Sequence, residues 1–133
     1  LVAAEKEDEI ERLIMYYPAL CIPDDSRRGC VIGTKIDPNN VPDSFYGVFV
    51  KLGKKYVDEA RILDPYEQIC TFKKPVLIIH GIEDKLVKIE YSRKANERYD
   101  DCELIEVHGD HGFILKGFKA GKKATEKYFK NLD

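Results

Sequence analysis

Apolar positions along the chain change period several times, and each change predicts an element. Residues 3–9 (Ala-Ala-Glu-Lys-Glu-Asp-Glu) are polar good helix formers and predict the end of a polar-faced helix. Arg12–Tyr17 is short and apolar and is stopped by Pro18, which predicts a buried strand. From Cys21 to about Asp64 the pattern breaks up. Pro18, Pro23, Pro38, Pro42 and Pro65 account for five of the six prolines, and Asp-Pro-Asn-Asn at 37–40 is a run of turn formers. Within that stretch residues 44–63 recover helical spacing, with Phe45, Val48, Phe49, Leu52, Tyr56, Ala60 and Leu63 largely on one face. An irregular stretch holding an apolar-faced helix predicts an insertion or cap.

A short helical turn is expected over 64–72, followed by the strongest strand signal, Pro75-Val-Leu-Ile-Ile-His80. Its unbroken apolar run predicts a strand covered on both faces, as in a parallel sheet, with Gly81 ending it. A helix over 90–99, a strand over 102–107, a loop His108–Phe113 and a final helix from about 116 to 131 follow. Strand, insertion, strand, helix, strand, helix is an α/β order, with parallel strands flanked by helices.

Length and composition narrow the class. The 133 residues suit one domain, and 44% hydrophobic content is enough for a core, which rules out a disordered tail. With 22 basic and 24 acidic residues the net charge is −2, which argues against nucleic acid or an anionic membrane as the main partner. No apolar run approaches the ~20 residues of a bilayer span, and no signal peptide opens the sequence. Cys21, Cys30, Cys70 and Cys102 contain no C-x-x-C pair, so they are expected as small apolar residues in a reducing cytoplasm. The chain begins with Leu1 rather than Met, which leads us to expect a processed chain or a piece of a longer protein.

In an open parallel sheet function gathers at the carboxyl ends of the strands, and two such ends carry unusual chemistry. One is His80-Gly-Ile-Glu-Asp84-Lys-Leu-Val87; the other is Gly109-Asp-His111-Gly-Phe113. If their strands are neighbours, Asp84 and His111 meet at one edge, although 27 residues separate them. A carboxylate there can hold an imidazole in one tautomer, and the imidazole can take a proton from a nucleophile. Taken singly, an Asp in a turn more often caps backbone N–H groups and a His is more often structural. The joint placement is what carries the expectation.

His80-Gly-x-x-Asp84-x-x-Val87 followed by Gly109-x-His111-Gly-Phe resembles the acid and base loops of α/β-hydrolases. With Leu13-Ile-Met-Tyr-Tyr-Pro-Ala-Leu20, Ile22-Pro-Asp-Asp-Ser-Arg27 and Phe72-Lys-Lys-Pro-Val-Leu-Ile-Ile-His-Gly81, the chain is similar throughout to bacterial cinnamoyl or feruloyl esterases. The resemblance implies a serine esterase acting on carboxylic esters, with Asp84 as triad acid and His111 as triad base, and needing no cofactor. It also implies that the proline-rich stretch, about 21–64, is a lid, in which Asp25 and Tyr56 face the aromatic end of a small-molecule ester.

One departure is as informative as the match. The family's nucleophile is a Ser in Gly-x-Ser-x-Gly, whereas Ser26, Ser44 and Ser92 all lack flanking glycines, and no cysteine has that setting. The His-Gly loop that helps build the oxyanion hole is missing too. Leu1-Val-Ala-Ala-Glu5 looks like the helix that follows the nucleophile, so we expect the C-terminal half of an esterase, inactive alone. Such a chain would expose the edge of strand 12–17 and self-associate through it or be marginally stable.

Three other readings compete with this one. His108-x-x-His111 is a poor metal pair because a tetrahedral site needs three or four ligands. The lysines of the last helix (Lys116, Lys119, Lys122, Lys123, Lys127, Lys130) are better read as a solvated face than as a phosphate site. The competitor from another class is a non-catalytic α/β-hydrolase-like binding or assembly domain.

Overall fold

The computed structural model describes residues 1–47, 50–113 and 117–130. It divides into two units, Leu1–Ala19 with Tyr66–Asp133, and Leu20–Pro65. In chain order the elements are α1 (Val2–Glu5), a 3-10 turn (Glu7–Glu9), β1 (Leu13–Tyr16), α2 (Ile22–Arg28), β2 (Cys30–Val31), β3 (Thr34–Lys35), β4 (Ser44–Tyr46) and β5 (Lys51–Gly53). Then come α3 (Lys54–Ala60), α4 (Pro65–Ile69), β6 (Val76–Gly81), α5 (Ile89–Arg98), β7 (Cys102–Val107), a 3-10 turn (His111–Phe113) and α6 (Phe118–Lys130).

The first unit is built on a parallel sheet in the order β1-β6-β7. Leu13 pairs with Val76 and Tyr16 with Ile79 on one side of β6; Val76 pairs with Cys102 and Gly81 with Val107 on the other. Every residue of β6 is buried, as its unbroken apolar run requires. Side chains alternate along a strand, so Leu77 and Ile79 share one face and Ile78 and His80 the other. Leu77, Ile79 and Val107 form a core with Ile14, Tyr17 and Ile105, covered by Ala124 and Tyr128 of α6. On the opposite face His80 meets Ser92 of α5. Helices therefore lie on both faces of the sheet, which is the expected α/β arrangement. Each fully buried aliphatic side chain contributes roughly 1.5–3 kcal/mol, so β6 is a main source of the sheet's stability.

The structure corrects the expectation for 12–17. The strand is half-buried rather than buried, and Tyr16 is 40% exposed. Among the described residues β1 pairs only with β6, so its other edge has no strand partner. Tyr16 instead finishes against α6. Thr125 Oγ1 donates to the Gly121 carbonyl at 2.9 Å, so the Tyr16 hydroxyl donates to Thr125 at 2.6 Å.

In the second unit α2 starts with Pro23 in its first turn and ends at Gly29, whose φ of 69° is left-handed. A Cβ there would lie 2.3 Å from the Ile36 carbonyl oxygen, so glycine is required twice over. Arg27 of α2 donates to the carbonyls of Arg61 (2.9 Å) and Leu63 (2.7 Å), satisfying acceptors just past α3. Val31, Val41 and Val57 form this unit's core with Ile36, Phe45, Leu52 and Tyr56.

A second correction falls here. The continuous helix expected over 44–63 is a β4–β5 hairpin followed by α3, which covers only Lys54–Ala60. Phe45 and Leu52, seven residues apart and therefore on one helical face, are instead directly opposed across the hairpin. Cross-strand pairing satisfies the same spacing, and Gly47 and Gly53 favour the turn over a helix. Val48 and Phe49 lie outside the described residues.

Candidate active site

The two loops singled out in the sequence leave adjacent parallel strands, β6 and β7, at their carboxyl ends. Backbone hydrogen bonds join them: Ile82 N–H donates to the Val107 carbonyl at 2.9 Å and Glu83 N–H to that of Gly109 at 3.0 Å. Such close stitching needs a residue without a side chain. A Cβ on Gly81 would lie 2.2 Å from the Gly109 carbonyl oxygen and 2.6 Å from its carbon.

Asp84 follows in a turn closed by its own N–H to the Gly81 carbonyl at 3.2 Å. Its side chain is fully buried. Oδ1 accepts the backbone N–H groups of Leu86 and Val87, both at 2.9 Å. Oδ2 lies 2.8 Å from His111 Nδ1 and 3.3 Å from His80 Nε2. An unpaired carboxylate in such a place would be costly, and three N–H groups that bond it supply the compensation.

His111 opens its 3-10 turn, and Gly112 after it has φ 76°, a left-handed bend that favours glycine. With Nδ1–H donating to Asp84, the neutral ring carries its lone pair on Nε2. The side chain is 31% exposed, so that ring is only partly covered. The arrangement can therefore accept a proton at Nε2 and stabilise the resulting imidazolium through Asp84. The expected meeting of Asp84 and His111 is present.

Two neighbours were not singled out by the sequence. Tyr17, just past β1, packs against His111 with ring centroids 4.7 Å apart and planes inclined by 59°. Ser92 of α5 lies 2.6 Å from His80 Nδ1 inside the core, both residues being fully buried. The sequence signal for His80 is its place at the end of the apolar run Val76–Ile79, where a buried polar group needs partners.

Asp25 and Tyr56 belong to the second unit, where both flank Cys21. Burial, then the Asp25 carboxylate beside it, pushes the Cys21 thiol up to about 12. Burial also raises the Tyr56 phenol, with Cys21 and Asp25 adding to the effect. Asp25 itself pairs with Arg28 at 2.5 Å.

All four cysteines are free. Burial pushes the Cys102 thiol up to about 12 as well, reinforced by Asp101 and Glu103, so neither Cys21 nor Cys102 has the lowered pKa of a nucleophile. His108 sits 3.7 Å from Glu83 and is exposed. Among the described residues no group of three or more His, Cys, Asp or Glu is placed to hold a metal, and no helix is long and apolar enough to cross a membrane.

No protein-family model and no curated protein sequence matches the chain. Among solved structures it is similar to Est1E from Butyrivibrio proteoclasticus, at 31% identity and a TM-score of 0.89, over 98% of this chain and 54% of that one. The structure of ferulic acid bound to Est1E gives 30% identity and a TM-score of 0.86, over 99% and 54%. Alpha/beta hydrolase domain-containing protein 10 from mouse shares the fold at 14% identity and a TM-score of 0.68, over 99% and 57%. The chain thus spans about half the length of these proteins.

Proposed function

As the C-terminal part of an esterase-like α/β-hydrolase fold, the chain supplies, we propose, the acid and base of a Ser-His-Asp triad in a carboxylic ester hydrolase. The observation that carries this reading is the 2.8 Å contact between Asp84 Oδ2 and His111 Nδ1, at the carboxyl ends of adjacent parallel strands. The serine lies outside this chain, since Ser26, Ser44 and Ser92 lack the glycines of a nucleophile elbow.

In the complete enzyme His111 Nε2 takes the proton of the serine hydroxyl as its oxygen attacks the ester carbonyl. The imidazolium then gives that proton to the departing alcohol. Water is activated the same way to release the acid. Asp84 orients His111 and balances its charge throughout.

The unit Leu20–Pro65 is read as the lid, with Asp25 and Tyr56 contacting the aromatic end of a hydroxycinnamic ester. Ferulic acid bound to Est1E supports that substrate class. A cytoplasmic setting suits four free thiols. For this chain by itself, the edge of β1 that has no strand partner among the described residues is the surface through which self-association is expected. A cooperative monomer in size-exclusion chromatography with light scattering would overturn that point.

The test is ester hydrolysis by the complete protein, with methyl ferulate and a short-chain p-nitrophenyl ester. His111→Ala is expected to lower kcat by about 10³-fold or more, and Asp84→Asn by a similar factor. An unchanged rate in folded His111→Ala would overturn the reading.

A further inference from the structure

We propose that His80 is a positioning residue, which holds the Asp84 carboxylate from behind and is itself fixed in one tautomer by Ser92. The inference rests on the reading of Asp84 and His111 as acid and base. His80 ends the buried core of β6, and its ring, like the Ser92 side chain, is fully buried. Its Nε2 lies 2.9 Å from the Val87 carbonyl oxygen and 3.3 Å from Asp84 Oδ2, while Nδ1 lies 2.6 Å from Ser92 Oγ.

These partners settle where the ring proton sits. Both groups facing Nε2 are acceptors, so a lone pair there would meet a carbonyl and a carboxylate at once. Nε2 therefore carries the proton and donates it to Val87 O, with Asp84 Oδ2 beside it at 3.3 Å. Nδ1 is left with the lone pair, and the Ser92 hydroxyl, which can donate, satisfies it. A serine on the helix packed behind the sheet thus determines which nitrogen of His80 carries the proton that Val87 O accepts beside Asp84.

The consequence concerns His111. Oδ2 is the oxygen that His111 uses, and His80 Nε2 lies 3.3 Å from that same oxygen inside the core while bonding Val87 O. Together with the two backbone N–H groups on Oδ1, the His80 ring beside Oδ2 fixes the plane of the carboxylate. Val87 takes part twice, donating its N–H to Oδ1 and accepting from His80, so the ring also pins the loop that carries the acid.

Two amide substitutions separate the nitrogens. Asn at position 80 places its amide near the Nδ1 position, toward Ser92; Gln extends a donor to the Nε2 position, toward Val87 and Asp84. In the complete ester hydrolase, His80→Asn is expected to lower kcat about 10-fold or more with KM within about twofold, whereas His80→Gln stays within about threefold of the parent. Equal kcat in folded His80→Asn and parent would overturn the proposal.

Ring ¹⁵N spectra of the present chain give a readout independent of turnover. His80 should carry its proton on Nε2, with Nδ1 accepting. Ser92→Ala should weaken that preference, and His80→Gln should leave the His111 Nδ1–H signal closer to the parent's than Ser92→Ala does. A His80 ring protonated at Nδ1 overturns the proposal even if no variant can be purified. His111→Ala serves as control. If it abolishes turnover while folded His80→Asn has no effect, the positioning role alone fails; if His111→Ala is itself active, the catalytic reading fails with it.

Discussion

Tyr17 packs its ring 4.7 Å from that of His111, centroid to centroid, from a backbone conformation that tyrosine rarely adopts. Its φ is 38°, in the left-handed region, and its N–H donates to the Ile79 carbonyl at 2.9 Å. Pro18 follows, and a residue before proline is normally driven to extended backbone. A left-handed tyrosine costs about 1–2 kcal/mol, which the surrounding contacts must offset.

That cost can be isolated by comparing two variants that both lack the ring. Tyr17→Gly should be more stable than Tyr17→Ala by about 1 kcal/mol, because glycine takes the same φ without penalty. Chemical denaturation gives the difference. Both variants should turn over ester more slowly than the parent, since the aromatic wall beside His111 is gone. A more stable Tyr17→Ala would show that φ is not strained.

Gly81, like Gly29, is a position where backbone geometry permits only glycine. Gly81→Ala would push a methyl group to 2.2 Å from the Gly109 carbonyl oxygen, against backbone rather than a flexible side chain. The acid and base loops must then part. The expected loss is about 2 kcal/mol or more, read from the denaturation midpoint, with a matching loss of the Asp84–His111 contact.

Much of this was legible in the sequence. Val76–Ile79 declared a doubly covered strand because no polar residue interrupts it, and the glycine-flanked His111 and the turn around Asp84 marked loops worth attention. The helix expected over 44–63 failed because Phe45 and Leu52 satisfy helical spacing and hairpin opposition alike, and periodicity alone does not separate the two. The burial of β1 was overestimated because an apolar run does not reveal how many strands pair with it. Tyr17 against His111 and Ser92 against His80 join residues 94 and 12 apart, which meet only once the sheet exists.

The thiols give a chemical test of burial. Cys30 is exposed, whereas Cys21 and Cys102 have thiols pushed up to about 12. At pH 8 the thiolate is the reactive form, so Cys21 and Cys102 should react with a disulfide reagent at least about 100-fold more slowly than Cys30. Mass spectrometry of partly labelled chain identifies the sites. Rapid labelling of Cys21 or Cys102 in folded chain would contradict the burial described.

Tyr99 predicts an alkaline weakness. It is 7% exposed and packs edge-on against Phe72, with centroids 6.5 Å apart. Burial, with Cys102 and Cys70 adding to it, pushes its phenol from 10.0 up to about 12. In the unfolded chain the phenol ionises near its ordinary value, so stability is fully present below pH 10. It is lost as pH rises toward 12, by about 3 kcal/mol from this group. Tyr99→Phe should make the decline between pH 10 and 12 shallower in denaturation measured across that range. An unchanged slope would mean the phenol is not buried in solution.

Among the described residues β6 is the one strand of the three-stranded sheet paired on both sides, and the acid loop begins at its last residue. Fraying of β1 or β7 in hydrogen–deuterium exchange should therefore leave the amides of Leu77, Ile78 and Ile79 protected until the whole sheet opens. The carboxylate half of the site is rooted in the slowest-exchanging segment, whereas the imidazole half hangs from an outer strand. Local opening, when it occurs, should accordingly release His111 before Asp84.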